Sequence, residues 1–292
     1  MTAYENAIEI KNVTKRYENF TLDNVSFSVP RGSIMGFIGQ NGAGKTTTIK
    51  SLLNITRIDN GEIRLLGLDH IKHEQEIKQR MAVVFDELPF HDILTAKDLA
   101  RIFSGLWSGW DNAVFSSYLD RFMLPAKQKI GKFSKGMKMK LQIACALSHN
   151  AELLVMDEAT TGLDPVVRDE ILHIFMEYLK EGDRSILMSS HITSDLEKIA
   201  DTVCIINKGH ILLTGCKDEI IEKHGIIKCG RDEINMIDPR DIVSIRVSHF
   251  GAEVMTASRP DAAYKYKNLL IDPASLDEVM LFYVHKGETG WE

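Results

Sequence analysis

A nine-residue segment with the sequence GQNGAGKTT constrains the fold of this chain more than any other. It spans residues 39–47 and fits the pattern G-x-x-x-x-G-K-[ST], in which backbone N–H groups surround phosphate oxygens. The apolar run SIMGFIG precedes it, and a helical pattern from Thr46 to Leu53 follows it. A glycine turn with a chance lysine is the alternative, but the strand–loop–helix context favours a phosphate loop at a helix N-terminus. We therefore expect an α/β fold that binds nucleotide phosphates.

The phosphate loop supplies a set of candidate ligands. Lys45 is expected to bridge the β- and γ-phosphates, and the Thr46 hydroxyl is expected to hold Mg²⁺. The glycines let the backbone approach phosphate oxygens where a Cβ would clash. The loop residues that we assign to nucleotide binding are Gly39, Asn41, Gly42, Ala43, Gly44, Lys45, Thr46 and Thr47.

Apolar runs along the chain predict the sheet around this loop. Short runs separated by helical stretches are typical of a buried, mostly parallel sheet with helices around it. Residues 95–148 show a helical pattern, and we assign the aromatic residues within it to helix cores. The predicted strands lie within 7–38 and at 61–66, 81–85, 152–156, 185–189 and 202–206.

Two adjacent carboxylates end one of these strands. The run ELLVMDE delivers Asp157 and Glu158 to the carboxyl end, where α/β sheets bind ligands. Asp157 is expected to hold Mg²⁺, through water, and Glu158 to polarise an attacking water as general base. An isolated acidic pair is more often a solvated strand end. Here the pair follows both Lys45 and Ser134, which we predict to be the N-cap of a helix that reaches about Ser148.

The stretch 133–165, FSKGMKMKLQIACALSHNAELLVMDEATTGLDP, resembles the ATP-binding cassette (ABC) ATPases, and the resemblance covers about residues 7–215. In that family the signature LSGGQ lies at a helix N-terminus and contacts the γ-phosphate held by the opposite subunit. The resemblance implies this role for Ser134 and Gly136. It also implies ATP and Mg²⁺ as cofactors and a second nucleotide-binding subunit, identical or different, as a partner.

Three further positions match the family in order. Tyr17 lies where an aromatic ring stacks on adenine, although a tyrosine on a strand surface is the alternative. Asp164, in TGLDP, matches the residue that reaches across the dimer. His191, in ILMSSHIT, matches the histidine that contacts the γ-phosphate, although a lone histidine is usually structural. The resemblance thus implies a catalytic set of Lys45, Glu158 and His191.

Three features depart from the family pattern. Asp86 stands where the family has a glutamine that senses Mg²⁺ and water on one side and the membrane subunit on the other, so Asp86 is expected to bind both nucleotide and metal. Lys135 and Met137 replace a glycine and a glutamine of the signature, and Ala159 replaces a proline after the acidic pair. None of these changes removes the catalytic set, so we expect the chain to hydrolyse ATP. A heterodimer in which one of the two ATP sites is weaker remains an alternative.

The overall composition narrows the function classes. The chain has 292 residues and a net charge of −6, which argues against a nucleic-acid partner. The first ten residues lack the basic and apolar regions of a signal peptide, and no apolar run approaches the roughly 18 residues of a membrane helix. We expect His70 and His73 to lie on the surface rather than in a metal site. The cysteines form no CxxC pair and are expected to be reduced and mostly in the core: Cys145, Cys204, Cys216 and Cys229.

The expected architecture has two parts. Residues 1–215 should form a P-loop NTPase domain of the ABC type, with a RecA-like core, an antiparallel β subdomain and an α-helical subdomain at about 86–150. Residues 216–292 should form a small α+β domain, because IVSIRVSHFGAEVMTASR predicts two strands and SLDEVMLFYVHKG a final helix. This second domain serves dimerisation or regulation, or is a packing appendage; the sequence leaves these alternatives open.

The resemblance implies the ATP-hydrolysing subunit of a bacterial exporter of antibiotics or peptides with a separate membrane permease. Such a subunit would lie at the cytoplasmic face of the cell membrane as a peripheral protein. The alternative is a soluble ABC ATPase that acts on the ribosome or on DNA. Translation-type members generally carry two cassettes and repair-type members a long coiled coil, and this chain shows neither. A P-loop kinase or GTPase would lack the observed order of motifs.

Overall fold

The computed structural model describes residues 4–180, 183–249, 251–286 and 289–291. Its strands are, in chain order, β1 (Asn6–Arg16), β2 (Thr21–Pro30), β3 (Ile34–Ile38), β4 (Asn60–Leu65), β5 (Leu68–Asp69), β6 (Met81–Phe85), β7 (Leu153–Asp157), β8 (Ser185–Ser190), β9 (Thr202–Asn207), β10 (His210–Cys216), β11 (Gly225–Cys229), β12 (Ser244–Ser248), β13 (Gly251–Thr256), β14 (Leu270–Pro273) and β15 (Thr289–Trp291). Its α-helices are α1 (Lys45–Leu52), α2 (Glu74–Arg80), α3 (Ala96–Leu106), α4 (Asn112–Arg121), α5 (Lys135–Leu147), α6 (Pro165–Lys180), α7 (Thr193–Ile199), α8 (Lys217–Lys223), α9 (Arg259–Lys265) and α10 (Leu276–Val284). Short 3-10 helices lie at Ile130–Lys132, Arg231–Met236 and Pro239–Asp241.

The central sheet has the order β10-β9-β3-β8-β7-β6. Its neighbours are parallel except at the edge, where β10 pairs antiparallel with β9. Every residue of β3, β7 and β8 is buried, as expected for parallel strands covered on both faces. The predicted parallel sheet is therefore confirmed, whereas β10, whose side chains are mostly half-buried or exposed, was not predicted.

A smaller antiparallel sheet with the order β2-β1-β4-β5 packs beside it. Its alternating pattern is clear in β2, where Val25, Phe27 and Val29 are buried and the residues between them are exposed. These side chains share one hydrophobic cluster with Met35 and Phe37 of β3. The predicted antiparallel β subdomain is thereby confirmed.

The helical region contains α3, α4 and α5. Thr95 starts α3 with a reciprocal capping box to Asp98, and the Asp111 side chain caps α4. Phe103, Phe115 and Phe122 are buried, and the neighbouring aromatic rings are partly buried against the same core. The assignment of these aromatic residues to helix cores is confirmed.

The C-terminal part carries a third sheet with the order β14-β11-β13-β12-β15. The two predicted strands are β12 and β13, and the predicted final helix is α10; the expected end of that helix at Gly287 lies outside the described residues. Buried residues of α10 belong to the same hydrophobic cluster as α7 of the nucleotide-binding part. The boundary between residues 215 and 216 stays a prediction, because this core is continuous across it.

Two expectations about single residues need correction. His70 is 6% exposed rather than on the surface, because its ring packs over β4 and its Nδ1 lies 3.1 Å from the Ile63 carbonyl oxygen. Burial lowers the pKa of His70, so the neutral ring donates this hydrogen bond. The cysteines were expected mostly in the core, but only Cys145 and Cys204 are buried, whereas Cys229 is half-buried and Cys216 is exposed. No helix in the described part of the chain combines the length and apolarity needed to cross a membrane.

Candidate nucleotide site

Four loops meet at the carboxyl edge of the central sheet. The strands β3, β8, β7 and β6 are consecutive neighbours, and their last residues are in register: Ile38 pairs with Ser190, Ser189 with Asp157, and Asp157 with Phe85. The loops that follow these strands carry the phosphate loop, His191, Glu158 and Asp86. The structure therefore brings together four regions that lie up to about 150 residues apart in the sequence.

The phosphate loop joins β3 to α1 in a conformation that requires glycine. Gly42 and Gly44 have φ values of +80° and +117°, which side chains rarely adopt. A Cβ at Gly39 would lie 2.5 Å from the Ile206 carbonyl oxygen. Ala43 is buried and its carbonyl accepts a hydrogen bond from Gly209 N at 2.9 Å, whereas Asn41 is exposed. This packing fixes the loop in front of α1, whose first N–H groups provide the anion site of a helix N-terminus.

The first residues of α1 are placed as the sequence predicts. Lys45 is only 5% exposed, and its Nζ donates to the Gly39 and Gln40 carbonyl oxygens at 2.6 and 3.2 Å. The same nitrogen lies 3.0 Å from Glu158 Oε1. Thr46 is exposed on the first turn and Thr47 is half-buried. Lys45 thus already links the phosphate loop to the candidate general base.

Glu158 is held in an unusual backbone conformation by several partners. Its φ is +55°, a left-handed value that is uncommon for a residue other than glycine, asparagine or aspartate. Thr161 Oγ1 donates to Glu158 Oε2 at 2.7 Å, and His191 Nδ1 lies 2.7 Å from the same oxygen. Because an ionised carboxylate only accepts, Nδ1 carries the proton of this hydrogen bond. The Glu158 carboxylate thus lies between Lys45 of the phosphate loop and the His191 imidazole, each bonded to one of its oxygens.

The surroundings of Glu158 also set its charge. Burial alone raises the pKa of this carboxyl, but the hydrogen bond from Thr161 and the contact with Lys45 outweigh burial, so the pKa lies below its ordinary value. Glu158 is therefore ionised at neutral pH, as a group that accepts a proton from water must be.

Asp157 provides a second carboxylate with a different environment. It is 7% exposed, and Ser189 Oγ donates to its Oδ1 at 2.7 Å. Carboxylate and hydroxyl oxygens suit Mg²⁺, which proteins usually bind through one or two carboxylates together with substrate phosphates. Asp157 and the exposed Thr46 hydroxyl fit such a shared site. Ser189 and Thr161, which orient the two carboxylates, were not singled out from the sequence, although both stand next to recognised motifs in SSH and ATTGLDP.

Tyr17 lies in the turn between β1 and β2, and 47% of its surface is exposed. The Tyr17 N–H donates to the Phe20 carbonyl at 2.8 Å, and Phe20 lies against Gly44, where its ring would be 3.1 Å from an added Cβ. Lys15 Nζ lies 5.6 Å from the centroid of the Tyr17 ring. The turn thus places an exposed aromatic face beside the phosphate loop, where a base could stack.

The signature residues form the start of α5. Ser134 Oγ accepts a hydrogen bond from Met137 N at 3.2 Å, which confirms Ser134 as the helix N-cap. The space around Gly136 is open, since an added Cβ would have no neighbour closer than 4.0 Å. Asp164 caps the next helix, because its Oδ1 accepts from Val166 N and Val167 N at 3.1 and 3.0 Å. Ser134, Gly136 and Asp164 line one concave surface.

Two residues that depart from the family pattern contact each other. Lys135 Nζ donates to Asp86 Oδ1 at 2.9 Å, and both side chains are about half exposed. Lys135 also lies against the loop before α6, since a Cβ added to Gly162 would lie 3.2 Å from Lys135 Nζ. The pair therefore joins the loop after β6 to the signature helix. The sequence shows both substitutions but not their contact, because 49 residues separate them.

Comparisons with known proteins agree with this geometry. Residues 22–161 match the family model described as ABC transporter. The chain is 36% identical over 208 residues to the bacitracin transport ATP-binding protein BcrA of Bacillus licheniformis, covering 70% of this chain and 68% of that protein. It is 33% identical over 300 residues to the Nod factor export ATP-binding protein I of Burkholderia orbicola, covering 94% of this chain and 95% of that protein.

The fold has a counterpart among solved structures. An ATP-binding subunit of an ABC transporter superposes with a TM-score of 0.67 at 28% identity, covering 73% of this chain and 91% of that one. The fold, the shared sequence and the clustered phosphate-loop, carboxylate and histidine residues point to one family. The chain belongs to the ATP-binding proteins of the ABC transporter family and is an ATPase with the ABC nucleotide-binding fold.

Proposed function

We propose that this chain is the ATP-hydrolysing subunit of a bacterial ABC exporter and that it works as a dimer with two ATP molecules at the interface. Relatives named for bacitracin transport and Nod factor export support the exporter assignment. Antibiotics, peptides or other amphipathic compounds are the proposed cargo, carried through a separate permease. The chain would then lie at the cytoplasmic face of the cell membrane.

The main support for a dimer is the distance between the phosphate loop and the signature residues Ser134 and Gly136 within one chain. The phosphate loop follows β3 and Asp86 follows β6, three strand spacings away in the same sheet, or about 14 Å. Lys135, the first residue of α5, is bound to Asp86 at that far position. Ser134 and Gly136 line a surface with Asp164, and none of the phosphate-loop residues 39–47 lines that surface. A second subunit would bring its signature to this chain's γ-phosphate.

The proposed roles within one site combine the family resemblance with these contacts. The phosphate loop and Lys45 would bind the phosphates, Tyr17 would stack on adenine, and Thr46, Asp157 and Asp86 would hold Mg²⁺. The metal would neutralise phosphate charge when bound. Glu158, ionised and oriented by Thr161, accepts the proton of the attacking water, and His191 contacts the γ-phosphate. Because Lys45 pairs with Glu158, a γ-phosphate would compete for Lys45 and free the carboxylate. Asp164 would contact the opposite subunit.

The γ-phosphate is the contact that distinguishes the two states of the dimer. The γ-phosphate favours the closed dimer because the phosphate loop of one subunit and the signature residues of the other bind it at the same time. Hydrolysis removes this contact and reopens the dimer, and the permease changes its access state with it.

An apolar groove supports a membrane partner. Its walls come from the end of α1, from β6 and from α3, with Phe90, Phe103 and Trp107 at one side. Trp107 is fixed, since its ring stacks on His149 at 4.5 Å and its Nε1 donates to the Lys78 carbonyl. Two large apolar side chains at the rim, Ile55 and Leu106, are 62% and 60% exposed. We propose that a permease helix occupies this groove.

Substitutions in the groove test the exporter assignment. We expect Leu106→Glu, alone or with Phe90→Ala, to abolish co-purification of an integral membrane protein from host membranes, because a charge buried at an apolar contact is costly. ATP hydrolysis by the isolated chain should stay within about twofold of the unmodified rate. Met236→Glu, a similarly exposed position outside the groove, is the control. Retention of the membrane protein by the groove variants would contradict the docking site. Recovery of ribosomes or DNA instead of a membrane protein would favour the soluble alternative.

The Asp86–Lys135 pair yields a second test. Lys135→Gly leaves Asp86 as an uncompensated negative charge near the phosphate site, so we expect a several-fold fall in kcat/KM for ATP. The double variant Asp86→Gln, Lys135→Gly removes both charges and should recover to within about twofold of the unmodified chain. The melting temperature should barely change, since exposed ion pairs contribute only about 0–1 kcal/mol. A double-mutant cycle on steady-state ATPase rates measures the coupling, and strictly multiplicative single effects would contradict it.

A further inference from the structure

The helix that follows His191 is held by the C-terminal part of the chain. The helix α7 begins at Thr193, two residues after His191, and no side chain caps its start. Thr193 Oγ1 donates instead to Asp277 Oδ1 of α10 at 3.0 Å. The segment that carries His191 is therefore tied to α10 within its first turn.

The far end of α7 has two further ties. Glu197 Oε1 accepts a hydrogen bond from Leu276 N, the first backbone N–H of α10, at 2.7 Å. Lys217 Nζ, at the start of α8, donates to the Glu197 carbonyl oxygen at 2.7 Å. Both ends of α7 are thus bonded to the region after β10.

Apolar packing makes this attachment rigid. Leu276, Val279 and Phe282 of α10 are fully buried in the same cluster as Leu196 of α7. Leu196 in turn packs on the strand that leads to the phosphate loop, where a Cβ at Gly36 would lie 2.9 Å from Leu196 Cδ1. Close-packed elements transmit displacement rather than absorb it. A shift of α10 would therefore move α7 relative to the phosphate loop.

The helix α7 also contacts α6. Asp195 is 2% exposed, and its Oδ2 lies 3.8 Å from Arg168 Nε. Arg168 also donates to the Leu163 carbonyl oxygen at 3.2 Å, next to Asp164. The helix α7 thus contacts α10 and also α6, whose Arg168 bonds to the loop that carries Asp164.

We propose that Asp277 and Glu197 are positioning residues for ATP hydrolysis: by holding α7, the C-terminal helix holds His191 against Glu158. This rests on the proposed roles of His191 and Glu158 in the site. It gives the C-terminal region a role in the hydrolytic step rather than in packing alone. Since His191 Nδ1 is 2.7 Å from Glu158 Oε2, a small displacement of α7 breaks that hydrogen bond.

The test uses point variants of the full chain, because deleting the C-terminal region would expose the shared core. Thr193→Val and Asp277→Ala each remove one hydrogen bond, and we expect kcat to fall about three- to tenfold with unchanged KM and unchanged ATP affinity. Thr193→Ser keeps the hydroxyl and should retain kcat. Asp272→Ala removes an ion pair with Lys228 inside the C-terminal region and should leave kcat unchanged.

A His191→Ala background separates this inference from the proposed function. In single-turnover hydrolysis, Asp277→Ala should lower the rate in the unmodified chain but cause no further loss beside His191→Ala. Unchanged kcat in both Thr193→Val and Asp277→Ala, or a full further loss in the His191→Ala background, would overturn the positioning role. Normal hydrolysis by His191→Ala alone would instead overturn the proposed role of His191.

Discussion

Replacing Glu158 with glutamine is expected to lower kcat for ATP hydrolysis by about 10²–10⁴-fold while ATP binding is retained. The amide has nearly the same shape and still accepts the hydrogen bond from Thr161, but it cannot take a proton from water. The substitution removes the ion pair of Lys45 with Glu158, but the glycine conformations of the phosphate loop and its contacts to β9 and to the turn after β9 persist. Steady-state phosphate release measures the rate, and equilibrium titration with a fluorescent ATP analogue measures binding.

The matched control for this variant is Glu62→Gln, an exposed position in β4 outside the site. It removes the same charge and should leave kcat unchanged. A Glu158→Gln variant that hydrolyses ATP within threefold of the unmodified rate would show that Glu158 is not the general base.

Replacing Lys45 with alanine is expected to weaken ATP binding by roughly 10- to 150-fold and to abolish measurable hydrolysis. This corresponds to the loss of about 1.5–3 kcal/mol for hydrogen bonds between a charged donor and phosphate oxygens. Lys45 is 5% exposed, and its Nζ is held at the phosphate loop by the Gly39 carbonyl oxygen. Calorimetric titration with ATP and Mg²⁺ measures the loss.

Lys50→Ala is the control for the second variant, since Lys50 lies exposed in the last turn of the same helix. It tests whether removal of any positive charge from α1 weakens binding. Equal affinities of Lys45→Ala and Lys50→Ala for ATP would contradict the assignment of the phosphate loop.

The sequence was sufficient to predict the parts of the site that are local. The phosphate loop needs a strand before it and a helix after it, and residues 34–52 supply both. Likewise the fully apolar run before Asp157 is visible in the sequence, and it is typical of a strand that is buried on both faces, as β7 is. The aromatic residues of α3 and α4 were assigned correctly for the same reason, since large apolar side chains at helical spacing have to be buried.

The remaining features depend on contacts between distant segments. His70 looks like a surface histidine in the sequence, and only the packing of its loop over β4 buries it. The Asp86–Lys135 pair and the attachment of α10 to α7 join residues 49 and about 80 positions apart, and neither has a local pattern. The edge strand β10 was missed because its side chains are not buried in alternation. Such features follow from the tertiary arrangement and not from propensity or spacing.

The C-terminal region shows how this distinction affects function. Its strands and final helix were predicted, but its relation to the site was not, since dimerisation, regulation and packing were equally compatible with the sequence. The hydrogen bonds at both ends of α7 are the basis of the positioning role that we propose for this region. The relative named for Nod factor export aligns over 94% of this chain and therefore has a counterpart of most of this region.

The central claim is that two copies of the chain bind ATP between the phosphate loop of one and Ser134 of the other. Size-exclusion chromatography with light scattering on Glu158→Gln tests it most directly, because slow hydrolysis preserves the bound γ-phosphate. With saturating ATP and Mg²⁺ the variant should elute at twice the monomer mass, and it should return to monomer with ADP or when Ser134→Arg is added. A Glu158→Gln chain that stays monomeric at saturating ATP would contradict the claim.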